Sequence, residues 1–114
     1  MNNTEFKYII TNAVYTTKYE PIIETATDTI YGYEALSKFN IDNRIISTEE
    51  IFRQLHHNND LFFNLEVRNK ELQVTHFDMK GKLFLNFDAD IFVSSEQQIY
   101  WEHFLSQHKE NLIV

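Results

Sequence analysis

The sequence predicts an α/β fold with parallel strand pairing. Strand-like segments alternate with helical ones through the second part of the chain, the pattern that lays parallel strands into one sheet. The first two strand-like segments, residues 19–24 and 30–38, are joined only by Thr25-Ala26-Thr27-Asp28-Thr29. So short a link favours an antiparallel pair, because a parallel crossover takes about a dozen residues. With 114 residues, 43% hydrophobic and 15% aromatic, the chain can build one small core and is not disordered.

In chain order, Phe6, Ile9, Ile10 and Ala13 fall at helical spacing and predict a short opening helix. The antiparallel strands follow. Ser47-Thr48-Glu49-Glu50 is a capping box ahead of Ile51, Phe52 and Leu55, predicting a helix over about 48–57. Asn59-Asp60 can cap another, with Leu61, Phe62, Leu65 and Leu72 facing inward. Gly81 breaks the chain before the apolar strand Leu83-Phe84-Leu85-Asn86-Phe87. Ser94 and Ser95 can cap a last helix with Tyr100, Trp101, Phe104 and Leu105 on one side, read as core. Asn111-Leu112-Ile113-Val114 reads as the start of a further strand.

Charge removes some functions. Net charge is −7 and there is no basic run, so binding to duplex DNA is not expected. No Cys is present, which excludes thiol chemistry and fits a reducing compartment. The N-terminus has no signal-peptide pattern, and no apolar run approaches the ~20 residues of a membrane span. A cytoplasmic protein is expected.

Two polar residues interrupt apolar strands, Glu34 after Tyr33 and Asn86 after Leu85. A carboxylate in a buried strand is costly unless something pairs with it. At the carboxyl ends of parallel barrel strands, a Glu and an Asn would face a common mouth, where their oxygens suit a hard divalent cation. The plainer alternatives are an edge position or a Lys partner for Glu34, and a turn position for Asn86.

The segments Tyr19-Glu20-Pro21-Ile22-Ile23, Gly32-Tyr33-Glu34-Ala35-Leu36-Ser37-Lys38-Phe39 and Leu83-Phe84-Leu85-Asn86-Phe87 resemble, in order and spacing, the first part of an EAL domain. The resemblance runs from about Phe6 to Val114 and covers less than half of such a domain. EAL domains are bacterial phosphodiesterases that hydrolyse cyclic di-GMP with magnesium or manganese. The resemblance implies a partial TIM-like (β/α) barrel, with its first strand antiparallel to the second, over residues 1–114 as a single truncated domain. It implies Glu34 and Asn86 as metal ligands, and Glu20, Leu36 and Lys38 as ligand-binding positions.

Two positions depart from the family pattern. Lys38 stands where an Arg usually grips phosphate, keeping the charge and losing the planar fork. Glu20 stands in place of a Gln and brings a carboxylate toward an anionic dinucleotide. The sequence also stops before the family's Glu-Ile-Thr-Glu motif, its paired Asp residues and its catalytic Lys. No complete catalytic set is present in this chain, and metal binding by Glu34 and Asn86 alone is expected to be weak or absent. The expectation is the N-terminal part of a cyclic di-GMP phosphodiesterase, inactive by itself. The alternatives are a short, degenerate EAL-like regulator that binds a protein partner, and a weak nucleotide binder. An unfinished barrel exposes strand edges, so completion by self-association into a homo-oligomer is expected.

The five histidines, His56, His57, His76, His103 and His108, are expected at surfaces and helix ends rather than as zinc ligands. Glu49, Glu50, Glu66 and Glu71 are expected on solvated helix faces.

Overall fold

The computed structural model describes residues 3–12, 14–108 and 112–114. Four helices and a five-stranded mixed sheet follow in the order α1 (Asn3–Asn12), β1 (Val14–Glu24), β2 (Thr29–Ile41), β3 (Arg44–Ile46), α2 (Thr48–Leu55), α3 (Asn59–Thr75), β4 (Lys82–Phe84), α4 (Ser95–His108) and β5 (Leu112–Ile113). A short 3-10 helix, Ala89–Ile91, precedes α4. Of the apolar stripe expected on α1, Ile10 is buried; Ala13 and the side chains of Phe6 and Ile9 lie outside the described residues.

The main path of the sheet is β1-β2-β4-β5, with β3 paired to β2 off that path. β1 and β2 are antiparallel, as the short link between them requires, here the four residues 25–28; β2–β4 and β4–β5 are parallel. Both long strands outrun the predicted 19–24 and 30–38. Tyr15 extends β1 by packing edge-on against Phe39 at 5.3 Å. At the other end of β2, Asp42 and Asn43 take positive φ values of 50° and 64°. That is the two-residue hairpin turn Asp and Asn tolerate best after Gly, and it folds back β3, which was not expected.

Side-chain caps set the helix starts. Ser47 Oγ accepts from Glu50 N at 3.4 Å, as the capping box requires. The α3 cap is Asn58, whose Oδ1 accepts from Leu61 N at 3.2 Å, and not the expected Asn59. Ser94 Oγ accepts from Gln97 N at 3.1 Å ahead of α4. Gly81 has φ 108°, where a side chain would be strained.

All four helices are not equally amphipathic. The inner side of α3 carries Phe62 and Leu65, but also buried Glu66, Asn69, Lys70 and Gln73, while Leu72 is only half-buried. Glu66 therefore does not lie on a solvated face: it is 1% exposed and pairs with Lys70 Nζ at 2.8 Å. Lys70, one helical turn on, supplies the counter-charge that makes this burial tolerable. Glu49 and Glu71 are exposed as expected, and half-buried Glu50 pairs with Arg53 at 3.0 Å.

One face of the sheet carries the core. Ala35, Phe39, Leu83 and Leu85 are buried there with Ile51, Leu55, Phe62, Leu65, Trp101 and Phe104 of the helices. On β1, Tyr15, Thr17 and Tyr19 are half-buried while Thr16, Lys18 and Glu20 are exposed, the period of two of a strand covered on one side. The radius of gyration is 15.2 Å, against about 13 Å for a compact domain of this length. The molecule is a slab, 49 × 36 × 21 Å, with helices on one side. The barrel is not closed.

Burial pushes the hydroxyls of Tyr15 and Tyr19 above the usual 10.0, with Arg68 opposing the rise at Tyr15 and a Thr17 hydrogen bond opposing it at Tyr19. Tyr19 also donates to Gln73 O at 2.7 Å, and Tyr15 to Ile10 O. Folding thus holds these protons more tightly than the unfolded chain does. Their contribution is complete below pH about 10 and is lost as pH rises beyond it. The urea midpoint is expected to fall above pH 10, and to fall less steeply in Tyr15→Phe/Tyr19→Phe. Equal slopes in the two proteins would contradict it.

Candidate functional site

The ladder between β2 and β4 positions the site. It has three pairs, Gly32↔Lys82, Tyr33↔Leu83 and Glu34↔Phe84. Gly32 permits this approach, because a Cβ there would sit 2.5 Å from the carbonyl oxygen of Lys82. Residues paired in register share a face, so Glu34 and Phe84 lie together on the side without helices. Leu85 N donates to Ile113 O at 2.9 Å, and Asn86 follows one residue later, two on from Phe84. Asn86 is exposed and lies past the end of β4.

Across the antiparallel pairing, Glu20 is directly opposite Glu34, Lys18 opposite Leu36, and Thr16 opposite Lys38. Glu20, Glu34, Leu36 and Lys38 are thus on adjoining strands and one face, while Asn86 lies past the end of β4. Their surroundings differ. Glu34 is half-buried and has no ion pair among the described residues. Glu20 is exposed and is held by Lys18 at 3.3 Å. Lys38 is exposed and Leu36 half-buried. A further conflict, not expected, arises within the sheet: two carboxylates meet across β1 and β2, and only Glu20 has a cationic partner among the described residues. Like charges directly opposite in a sheet destabilise it.

Beyond Glu34 and Phe84 the two strands part. A cavity of about 90 Å³ lies there, lined by Leu36, Ser37, Thr48, Lys70, Gln73 and Asn86, among others. It brings Leu36 and Asn86 together, while Glu34, Glu20 and Lys38 are not among its walls. Gln73 donates to Ser37 Oγ at 2.7 Å, and its Oε1 is buried without a partner. A polar space of this size admits water, ~30 Å³ per molecule, to satisfy such an oxygen. The cation at this cavity is Lys70, already neutralised by Glu66 and lying 5.3 Å from the Phe87 ring centre.

Glu34 carboxylate and Asn86 amide oxygens are the donor type that Mg2+ or Mn2+ prefers, and an unpaired carboxylate facing a second one is where a divalent cation would offset repulsion. Two such donors fit part of a six-coordinate shell; water would complete it.

One chemistry-bearing cluster lies elsewhere. His56, at the end of α2, meets Asp88 and Asp90 from the stretch after β4. His56 is at a helix end and exposed, as expected of it, yet its two acidic neighbours went unseen in the sequence. The pattern Asp88-Ala89-Asp90 just after a strand was the available signal. Nothing local links it to a histidine more than thirty residues earlier. His103 is exposed and 3.1 Å from Gln107, and His108 packs on Phe104 at 5.1 Å. No helix among the described residues is long and apolar enough to cross a membrane.

No family model and no curated protein matches this sequence. Solved structures do match. The S helix-GGDEF-EAL portion of Vibrio cholerae LapD matches in its apo form with a TM-score of 0.72 at 17% identity, over 96% of this chain and 28% of that one. Its form bound to cyclic di-GMP matches with a TM-score of 0.77 at 16% identity, over 98% and 30%. The Bacillus subtilis YkuI protein, which has an EAL domain and was solved with substrate cyclic di-GMP and calcium, matches with a TM-score of 0.68 at 16% identity, over 97% and 28%. The chain spans less than a third of the length of each. It therefore shares the fold of part of these EAL-domain-containing proteins.

Proposed function

We propose that this chain is the N-terminal part of an EAL-type cyclic di-GMP phosphodiesterase and does not hydrolyse the dinucleotide by itself. The observations that support this reading are the pairing of Glu34 with Phe84 where β2 and β4 run parallel and the cavity that Leu36 and Asn86 share just beyond it. Support comes from the fold shared with proteins solved with cyclic di-GMP. Glu34 and Asn86 would hold Mg2+ or Mn2+, whose chemistry is to lower the pKa of bound water and to polarise a phosphoryl oxygen. Leu36 would pack against a base, and Lys38 would attract a phosphate. Glu20 works against that attraction, although Lys18 offsets part of its charge. Two metal-ligating side chains fall short of a two-metal hydrolytic centre.

A second reading, a non-catalytic regulator that binds a protein, is favoured by the open sheet. Val14, Ile23, Ile30, Tyr31 and Ile45 are exposed. Among the described residues the outer edge of β1 pairs with nothing. A second copy is the proposed partner in either case, because the face carries both Lys18 and Lys38 and both Glu20 and Glu34, which suits a two-fold contact.

Incubation with cyclic di-GMP and Mg2+ or Mn2+ is expected to return the intact cyclic dinucleotide on chromatography. Calorimetric titration in the same buffer is expected to show weak binding that Glu34→Ala abolishes, and light scattering to show a dimer. Conversion to the linear product would overturn the inactive reading. Absence of both heat and any melting shift would remove the nucleotide and leave the protein-binding regulator.

A further inference from the structure

We propose a transition-metal site at His56, Asp88 and Asp90, separate from Glu34 and Asn86 and independent of the function assigned to them. One ligand atom from each of the three residues lies within 4.8 Å of the others. His56 Nδ1 contacts Asp90 Oδ2, and His56 Nε2 is 3.9 Å from Asp88 Oδ2. One imidazole against two carboxylates leaves a net negative charge that a divalent cation would neutralise.

The Asp88 carboxylate is held by the backbone, and the Asp90 backbone is held by side chains. Asp88 Oδ1 accepts from Asp90 N at 2.9 Å, which leaves Oδ2 as its free donor toward the ring. Asn59 donates to Asp90 O, and Gln97 Nε2 donates to Asn59 Oδ1 at 2.6 Å. Trp101 Nε1 donates to Ile91 O at 2.9 Å, fixing the residue that follows. Gln97 and Trp101 are buried, so this support is shielded from water. The His56 ring stands edge-on to Phe62 at 5.7 Å, which limits its rotation. Supporting contacts of this kind orient metal ligands.

The donor set selects the class of ion. Imidazole nitrogen favours Zn2+, Co2+ or Ni2+ over Mg2+ and Ca2+, which take oxygen ligands. Asp88 and Asp90 are half-buried and His56 is exposed, so solvent can fill the remaining positions. Such an ion would clamp the end of α2 to the segment that continues from Asn86.

Titration of the full chain with Zn2+ alone is expected to show one site and a raised melting temperature. Co2+ in its place is expected to give visible ligand-field absorption. Asp90→Asn and Asp88→Asn keep the side-chain shape, and the Asn at 88 can still accept from the backbone N–H. Each is expected to weaken Zn2+ binding at least tenfold while the metal-free melting temperature stays within a few degrees. His56→Ala is expected to abolish it, and Glu34→Ala and His103→Ala to leave it intact. Undiminished binding in the Asp variants would overturn the site, as would no Zn2+ binding to the parent chain, which would leave a histidine–carboxylate contact and nothing more.

Discussion

Lys70→Met is expected to lower the free energy of unfolding by about 3–5 kcal/mol, a large part of the ~5–15 kcal/mol that holds a domain together. The reason is what it leaves behind. Glu66 is 1% exposed, its Oε2 is 2.8 Å from Lys70 Nζ, and its Oε1 accepts from Asn69 at 3.1 Å. Without the ammonium the carboxylate is buried with one amide for company. Replacing both members, as Glu66→Leu/Lys70→Met, removes the stranded charge, and an apolar pair of similar volume is often neutral or stabilising. The double variant is therefore expected to recover most of the loss. Urea unfolding of the three proteins decides it: a double variant no better than the single would mean that the charge is not what makes Lys70 necessary. Lys70 also lines the cavity beside Asn86, so the double variant tests whether that cation assists nucleotide binding.

Trp101→Ala is expected to cost about 3–5 kcal/mol, the usual range for removing a fully buried large aromatic residue. Trp101 is 0% exposed and is the meeting point of α3, α4 and the segment after β4. Its ring centre lies 5.0 Å from Phe87, 5.6 Å from Phe63 and Phe104, and 6.0 Å from Phe92. Its indole N–H also satisfies Ile91 O. Trp101→Phe keeps most of the apolar volume and loses that hydrogen bond, so a smaller cost of about 1–3 kcal/mol is expected. Equal urea midpoints for the Phe variant and the parent chain would show that the hydrogen bond contributes nothing. Because Ile91 adjoins Asp90, the Phe variant is also expected to loosen the His56 cluster.

Much of the architecture was legible because its signals are local. So short a link between two strands dictates an antiparallel pair whatever surrounds it. The Ser47 capping box and the Gly81 break act through their own backbone, and the aromatic residues of α4 repeat at helical spacing. β3 was missed although Asp42-Asn43 is a recognised turn pair, because the segment after it is only three residues long. The cap of α3 moved from Asn59 to Asn58 because Asn59 is drawn to Asp90 O, a partner thirty-one residues away.

The sequence by itself determined the order of strands and helices apart from β3, the antiparallel start, and which residue types could meet a cation or a phosphate. Tertiary structure alone decided which charges are buried and which side chains are neighbours. Glu66 resembles any surface acid in a helix until Lys70 and the sheet enclose it. Glu20 and Glu34 confront each other only because of the β1–β2 register. His56 meets Asp88 and Asp90 only because α2 ends beside the exit of β4. Local spacing encodes turns, caps and faces, whereas electrostatic partners separated by tens of residues are encoded only in the packing that brings them together.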